Sequence, residues 1–238
     1  CKTFGVCVAI CLLPLGGCSD NSENKDSTPR ESGPFEGIIL EVAPTEFELT
    51  LEGANAGDAV AQQILGVAYD DGQGVPEDDV EAVKWYRLAA EQGVADAQNN
   101  LGLMYYNGTG VPQDYAEAVK WFRLAAEQGI AKAQYTLGAM YAYGQGVPED
   151  DVEAVKWFRL AAEQGLAVGQ QFLGLAYALG EGVPEDDVEA YVWLSVAALG
   201  DVSYEDIRDN IKASLSGSQL ALGQRRATEL FEKYGSGK

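Results

Sequence analysis

Residues 97–129 read AQNNLGLMYYNGTGVPQDYAEAVKWFRLAAEQG, and their order decides the fold. Ala97, Leu101, Gly102 and Tyr105 fall at i, i+4, i+5 and i+8, one face of a helix. Gly102 lowers helix propensity by roughly 1 kcal/mol against Ala. Its place on that face predicts close approach of a neighbouring helix. Gly108-Thr109-Gly110-Val111-Pro112 then stops the helix and turns the chain. Asp114 reads as the N-cap of a second helix, with Glu117 as its partner in a capping box. Ala118, Trp121, Ala125 and Ala126 form the apolar stripe of that helix, small faces around one large ring. Lys120, Arg123 and Glu127 lie off the stripe, at spacings that predict a self-paired, solvated face with Glu117.

The unit repeats. Trp85, Trp121, Trp157 and Trp193 stand 36 residues apart, as do Pro76, Pro112, Pro148 and Pro184. Leu-Gly returns at 65–66, 101–102, 137–138 and 173–174, and Tyr at 69, 105, 141 and 177. A fixed period of this length marks a solenoid. The fold class is therefore all-α: an α/α solenoid of four 36-residue helix pairs over residues 58–201. A Gly-x-Gly can cradle phosphate, but here no helix begins on the glycines, so they read as turns. The acidic rows around Asp78, Asp114, Asp150 and Asp186 lack the alternating ligands and bidentate Glu of a calcium loop. Capping and the helix dipole account for them.

The 238 residues carry 16 Lys and Arg against 37 Asp and Glu, a formal net charge of -21. Such a chain repels phosphate, which argues against nucleic acid as a partner. There is no His, so neither imidazole catalysis nor a His-ligated metal arises. Cys1, Cys7, Cys11 and Cys18 are the 4 cysteines, and the repeats hold none. The body therefore has no disulfide framework and no thiolate metal site. Paired carboxylates could serve a glycosidase, but every recurrent pair is explained by capping. No catalytic residue, metal or cofactor is expected.

The pattern A-x3-LG-x2-Y-x2-G-x-GVP-x-D-x3-A-x2-W-x3-AA-x2-G, over Ala61 to Gly200, resembles the Sel1-like repeat, a relative of the tetratricopeptide repeat. The resemblance implies a right-handed superhelix of helix pairs that binds partners, usually proteins. Some secreted members with β-lactamase-like activity carry a cysteine pair in each repeat. This chain has no such pairs, so that activity does not carry over.

Phe4 to Leu15 is an apolar run after Lys2, too short for a bilayer span of roughly 20 residues. It fits the apolar region of a secretory signal over residues 1–17. Leu15-Gly16-Gly17-Cys18 resembles the lipobox of bacterial lipoproteins. That resemblance implies cleavage before Cys18, acylation of its thiol, and attachment to a membrane. Ser19 after the cysteine implies the outer membrane, facing the periplasm. Residues 18–34 carry almost no apolar side chains past Cys18 and read as a flexible tether of roughly 20–24 Å. Ser22 and Lys25 form a Ser-x-x-Lys by chance, without the helix start and pocket that the acylating enzymes need.

The array needs shielded ends. Within residues 35–57, Thr45 and Glu48 predict a capping box and a partial helix standing in for a missing second helix. Within residues 202–238, Ser203 with Asp206 and Ser216 with Gln219 predict two capping helices. Gly200-Asp201 replaces the Gln-Gly of the other repeats, so the array stops there.

In tetratricopeptide-like stacks the first helix of each unit lines the concave face. Counting from Leu-Gly, the resemblance places Gln63, Val67 and Asp70 there, then Asn99, Leu103 and Tyr106. Tyr135, Ala139 and Ala142 follow, then Gln171, Leu175 and Ala178. The partner-binding candidates are Gln63, Asp70, Asn99, Tyr106, Tyr135 and Gln171. These positions hold amides, tyrosines and a carboxylate, with no Lys or Arg, which suits a neutral or cationic extended peptide. The function expected is a membrane-anchored, non-enzymatic scaffold of the cell envelope that binds a protein or peptide. The alternatives are an accessory lipoprotein for polysaccharide export, or a hydrolase acting on cell wall or β-lactams.

Overall fold

A computed structural model describes residues 45–200 and 204–235. The signal, Cys18, the tether and the Ser203 cap lie outside those residues. Eleven α-helices and a terminal π-turn follow one another, and no strand occurs among the described residues. α1 spans Glu46–Asn55. Four pairs follow: α2 (Ala59–Asp71) with α3 (Asp79–Glu91), and α4 (Ala95–Asn107) with α5 (Tyr115–Glu127). Then come α6 (Ala131–Ala142) with α7 (Asp151–Glu163), and α8 (Ala167–Leu179) with α9 (Asp187–Gly200). α10 (Glu205–Ser214), α11 (Gly217–Leu230) and the π-turn Phe231–Gly235 close the chain. Packing is closest within a pair, next closest between a second helix and the first helix of the following pair.

The Leu-Gly position sets the distance within each pair. A Cβ on Gly102 would lie 2.9 Å from the Phe122 ring, and one on Gly138 would lie 2.8 Å from that of Phe158. Gly66 meets Tyr86 and Gly174 meets Leu194 in the same way. Tyr86, Phe122, Phe158 and Leu194 are buried. Trp85, Trp121 and Trp157, one residue earlier, are only half-buried, and Trp193 alone of the four is fully enclosed. Trp121 packs against a core cluster built from Ala82, Tyr86 and Ala90 of the preceding repeat and Leu101 of its own. The tryptophans therefore seal the joints between repeats, and the next residue fills the core of its own.

The Asp caps differ from a closed capping box. Asp114 accepts from the N–H groups of Ala116 and Glu117 at 2.9 and 3.0 Å. Its own N–H donates to the carbonyl of Tyr105 at 2.9 Å. The same bond joins Asp78 to Tyr69, Asp150 to Tyr141, and Asp186 to Tyr177. With that donor already satisfied, Glu81, Glu117 and Glu153 turn outward and pair with Lys84, Lys120 and Lys156. Such solvent-exposed pairs contribute little to stability. The arginines also depart from a self-paired surface. Arg87, Arg123 and Arg159 reach into the following repeat and donate to the phenol oxygens of Tyr105, Tyr141 and Tyr177. Their guanidinium carbons stand 5.7–5.8 Å from those ring centres.

In the second, third and fourth repeats the second glycine of the Gly-x-Gly turn, Gly110, Gly146 and Gly182, sits against the preceding repeat. Gly110 has φ +66, and a Cβ there would come within 2.3 Å of the Asp79 carbonyl oxygen. Left-handed backbone and contact with a helix start both demand glycine.

A row of buried glutamines runs through the stack. Gln98, 4 % exposed, donates to the carbonyl of Ala90 at 3.0 Å. Gln128 donates to the side-chain oxygen of Gln98 at 2.7 Å, joining the end of α5 to α4, the first helix of its own pair. Gln62 with Gln92 and Gln134 with Gln164 repeat the bond at 2.7 Å. Gln170 donates to Ala162, but its 36-residue partner position is Gly200.

α1 takes the place of a second helix ahead of the array. Ala54 accepts from Gln62 at 3.1 Å, as Ala90 does from Gln98. Thr45 and Glu48 form a reciprocal capping box, and Phe47 meets the edge of Tyr69. At the other end α10 and α11 pack on α9. Gly223 admits the ring of Tyr191, Arg226 pairs with Glu189, and Tyr234 stacks on Trp193. Ser216 and Gln219 form the reciprocal box that starts α11.

Candidate functional site

The first helices of the repeats carry the variable positions. Of these, Gln63 and Asn99 line one hollow of about 630 Å³, together with Asn100, Asp96 and Lys132. It is a shallow trough, floored by the loops at Gly129-Ile130 and Gly165-Leu166. It therefore touches the first three repeats in sequence order. Asn99, itself largely buried, donates from Nδ2 to Asn100 Oδ1 at 3.3 Å, and the Asn100 amide also lies against the Tyr86 hydroxyl. The trough meets the starts of α6 and α8, whose N-cap residues Ile130 and Leu166 supply no side-chain bond. Amide donors and acceptors along a groove can satisfy an extended backbone.

The other candidates are placed differently. Asp70 accepts a hydrogen bond from the Tyr86 hydroxyl at 3.1 Å. Burial pushes its carboxyl above the ordinary range, and the Tyr86 hydrogen bond opposes that rise. Tyr86 in turn is raised by its burial and by the Asp70 charge. Tyr106 donates to Gln145 at 3.1 Å, and its ring lies 5.2 Å from that of Tyr115. Tyr135 joins Phe158 and Phe172 in an aromatic cluster, with centroids 6.1 and 5.5 Å away, and burial raises its phenol. Gln171 is half-buried on α8 and does not reach the trough. So the structure brings Gln63 and Asn99 together, ties Asp70 and Tyr106 into hydrogen bonds, and packs Tyr135 into a cluster.

Counting one face from Leu-Gly missed Asn100, Asp96 and Lys132. Lys132 puts a cation on the trough, where the count had placed none. Asp96 and Lys132 lie at the first turns of α4 and α6, three residues ahead of the counted Asn99 and Tyr135, and Asn100 follows Asn99 directly. Among the described residues no group of three or more His, Cys, Asp and Glu is arranged to hold a metal ion. No described helix is long and apolar enough to cross a membrane.

The Sel1 repeat profile matches residues 59–94, 95–130, 131–166 and 167–202, one helix pair each, over more than half of the chain. The chain belongs to the Sel1 repeat family. Its four Sel1 repeats form a helical scaffold of the kind that generally mediates protein interactions, and such scaffolds are typically non-enzymatic. Among solved structures, the Sel1 array is similar to a Sel1 repeat protein from Oxalobacter formigenes, with 33% identity and a TM-score of 0.64. That match covers 76% of this chain and 84% of the other. It is also similar to a protective antigen with an SLR fold, present in uropathogenic Escherichia coli strains. There the identity is 36% and the TM-score 0.73, over 79% of this chain. The match spans 41% of the antigen's length. No curated protein matches significantly.

Proposed function

We propose that this Sel1 repeat protein is a non-enzymatic scaffold of the bacterial cell envelope that binds an extended segment of a partner protein. The observation that carries the reading is the trough across α2, α4 and α6. The framework side chains are spent on bonds that recur every 36 residues, whereas Gln63, Asn99, Asn100 and Lys132 follow no such pattern. A row of amides along the trough matches the repeating donors and acceptors of a peptide backbone. Leu15-Gly16-Gly17-Cys18 supports the second part of the proposal: Cys18 carries acyl chains and holds the scaffold to a membrane, with the outer membrane favoured by Ser19. Two acyl chains give stable anchoring where one gives only marginal binding.

Two experiments test the two parts. Gln63→Ala, Asn100→Ala and Lys132→Ala together remove three trough side chains, Lys132 exposed and the two amides half-buried. Partner capture should fall at least tenfold while the helical signal is retained, and undiminished capture would rule out this face. Cys18→Ala should release the protein from the detergent phase. Unchanged partitioning would remove the lipid anchor from the account.

A further inference from the structure

A second hollow, of about 290 Å³, lies where the third repeat meets the fourth, among the end of α6, the start of α7 and α8. Phe158 and Phe172 line its apolar part, their ring centres 5.2 Å apart. Tyr143 and Leu179 flank it, 64 % and 63 % exposed, the same repeat position that Asp71 and Asn107 hold in the first two repeats. Large apolar side chains thus stand open to solvent at this joint and nowhere else at that position.

The corresponding space one repeat earlier is plugged. Tyr106 and Tyr115 lie ring to ring there, Gln113 donates to the Tyr115 hydroxyl at 3.2 Å, and Tyr106 donates to Gln145 at 3.1 Å. Moving on by 36 residues, Tyr106 becomes Ala142, Tyr115 becomes Asp151, Gln113 becomes Glu149 and Gln145 becomes Glu181. All four replacements line the hollow. Two rings and two amides have given way to a methyl group and three carboxylates. Asp151 and Glu149 flank the start of α7, where the helix dipole favours acids. Glu181 belongs to a turn and has no such structural reason. None of the three takes part in an ion pair among the described residues, and no Lys or Arg lines the hollow.

We propose that this hollow is a subsite for a lysine or arginine side chain of the bound partner segment, its aliphatic stem against Phe172 and Leu175 and its charge among Glu149, Asp151 and Glu181. This rests on the scaffold reading and adds what the partner must carry. A long cationic side chain has the matching division, since its methylenes prefer apolar cover while its head stays with charge and water. Aromatic walls add attraction for a cation. An aliphatic or acidic side chain would leave the carboxylate rim unpaired or repelled.

The probe is a set of capped five-residue peptides, Gly-Leu-Xaa-Leu-Gly, with Xaa as Lys, Arg, norleucine or Glu. They are titrated into the full chain while the methyl resonances of Leu175 and Leu179 are followed by NMR. The Lys and Arg peptides should shift those methyls and bind at least tenfold tighter than the norleucine peptide, with the difference shrinking as salt rises. Glu149→Gln with Glu181→Gln should reduce the difference to within twofold. Ala142→Tyr should refill the space and weaken the Lys peptide at least tenfold. Should that variant fold poorly, the double Gln variant decides alone. Equal binding of Lys and norleucine peptides would overturn the subsite, as would cationic peptides that shift only the Gln63–Asn100 trough. Either result would leave the scaffold reading standing, because that reading fails only if the trough variant keeps full partner capture.

Discussion

Gly102 and Phe122 meet with no room for a methyl group between them: a Cβ on residue 102 would lie 2.9 Å from two carbons of the ring. Gly102→Ala should therefore destabilise the array by about 1–3 kcal/mol, the usual cost of overpacking. Phe122→Leu in the same chain should recover part of the loss. Denaturant unfolding of the two single variants and the double variant checks the coupling, and strictly additive losses would contradict the contact.

The burial difference between neighbours ranks two further substitutions. Phe122→Ala empties a fully enclosed site and should cost about 3–5 kcal/mol. Trp121→Ala removes a half-buried ring at the joint with the preceding repeat and should cost less. Thermal unfolding of the two variants gives the order, and a larger loss for Trp121→Ala would reverse the assignment of core and seal.

Gln98 ties three segments through one amide, taking a bond from Gln128 and giving one to Ala90. Gln98→Leu fills the volume but leaves the Ala90 carbonyl and the Gln128 amide without that partner. The expected cost is about 0.5–1.5 kcal/mol for each bond lost, because the Ala90 carbonyl keeps the N–H of Gly93 and the Gln128 amide keeps the carbonyl of Gly93. Hydrogen exchange of the amides in α3 and α4 should accelerate in this variant. Unchanged protection would mean the glutamine row is not structural.

Asp70 supplies a pH test with a definite sign. Its carboxyl is raised by burial above the ordinary value of 3.8, so the folded state holds that proton more tightly than the unfolded chain. The ionised group therefore lowers stability, and the loss sets in as pH rises from about 3.8 through the raised folded value. Asp70→Asn keeps an oxygen for the Tyr86 hydroxyl and removes the charge. It should be at least as stable as the parent at pH 7 and should flatten the pH dependence in that window. A variant less stable at pH 7 would show that the charge is better solvated than its burial implies.

The helix pairs, turns, Asp caps and both reciprocal capping boxes were legible because each is written in local spacing. Trp121 belongs to the apolar stripe, as its spacing predicts, but the ring that lies on the glycine is that of its neighbour Phe122. Trp recurs unchanged at its position, whereas the neighbouring core position holds Tyr86, Phe122, Phe158 and Leu194 in turn, any large group that can lie on a glycine. The glutamine row repeats at 36 residues and could have been found by the same count. The closed box at Asp114 could not be refuted locally, because its N–H is taken by Tyr105, nine residues back across a turn. The trough was legible only in part. Gln63 and Asn99 follow from counting one face, but Lys132 enters from the neighbouring helix start, and the packing of Tyr135 against Phe158 and Phe172 depends on the following repeat.

The central claim is that the first helices of the Sel1 array hold a partner. A photoreactive phenylalanine analogue in place of exposed Leu103 on α4, compared with one in place of exposed Leu124 on α5, tests it most directly. Irradiated in the native envelope, the residue-103 probe should give one discrete crosslinked species that the Gln63, Asn100 and Lys132 triple variant abolishes, while the residue-124 probe gives none. Crosslinking from residue 124 alone, or from residue 103 undiminished in the triple variant, would contradict it.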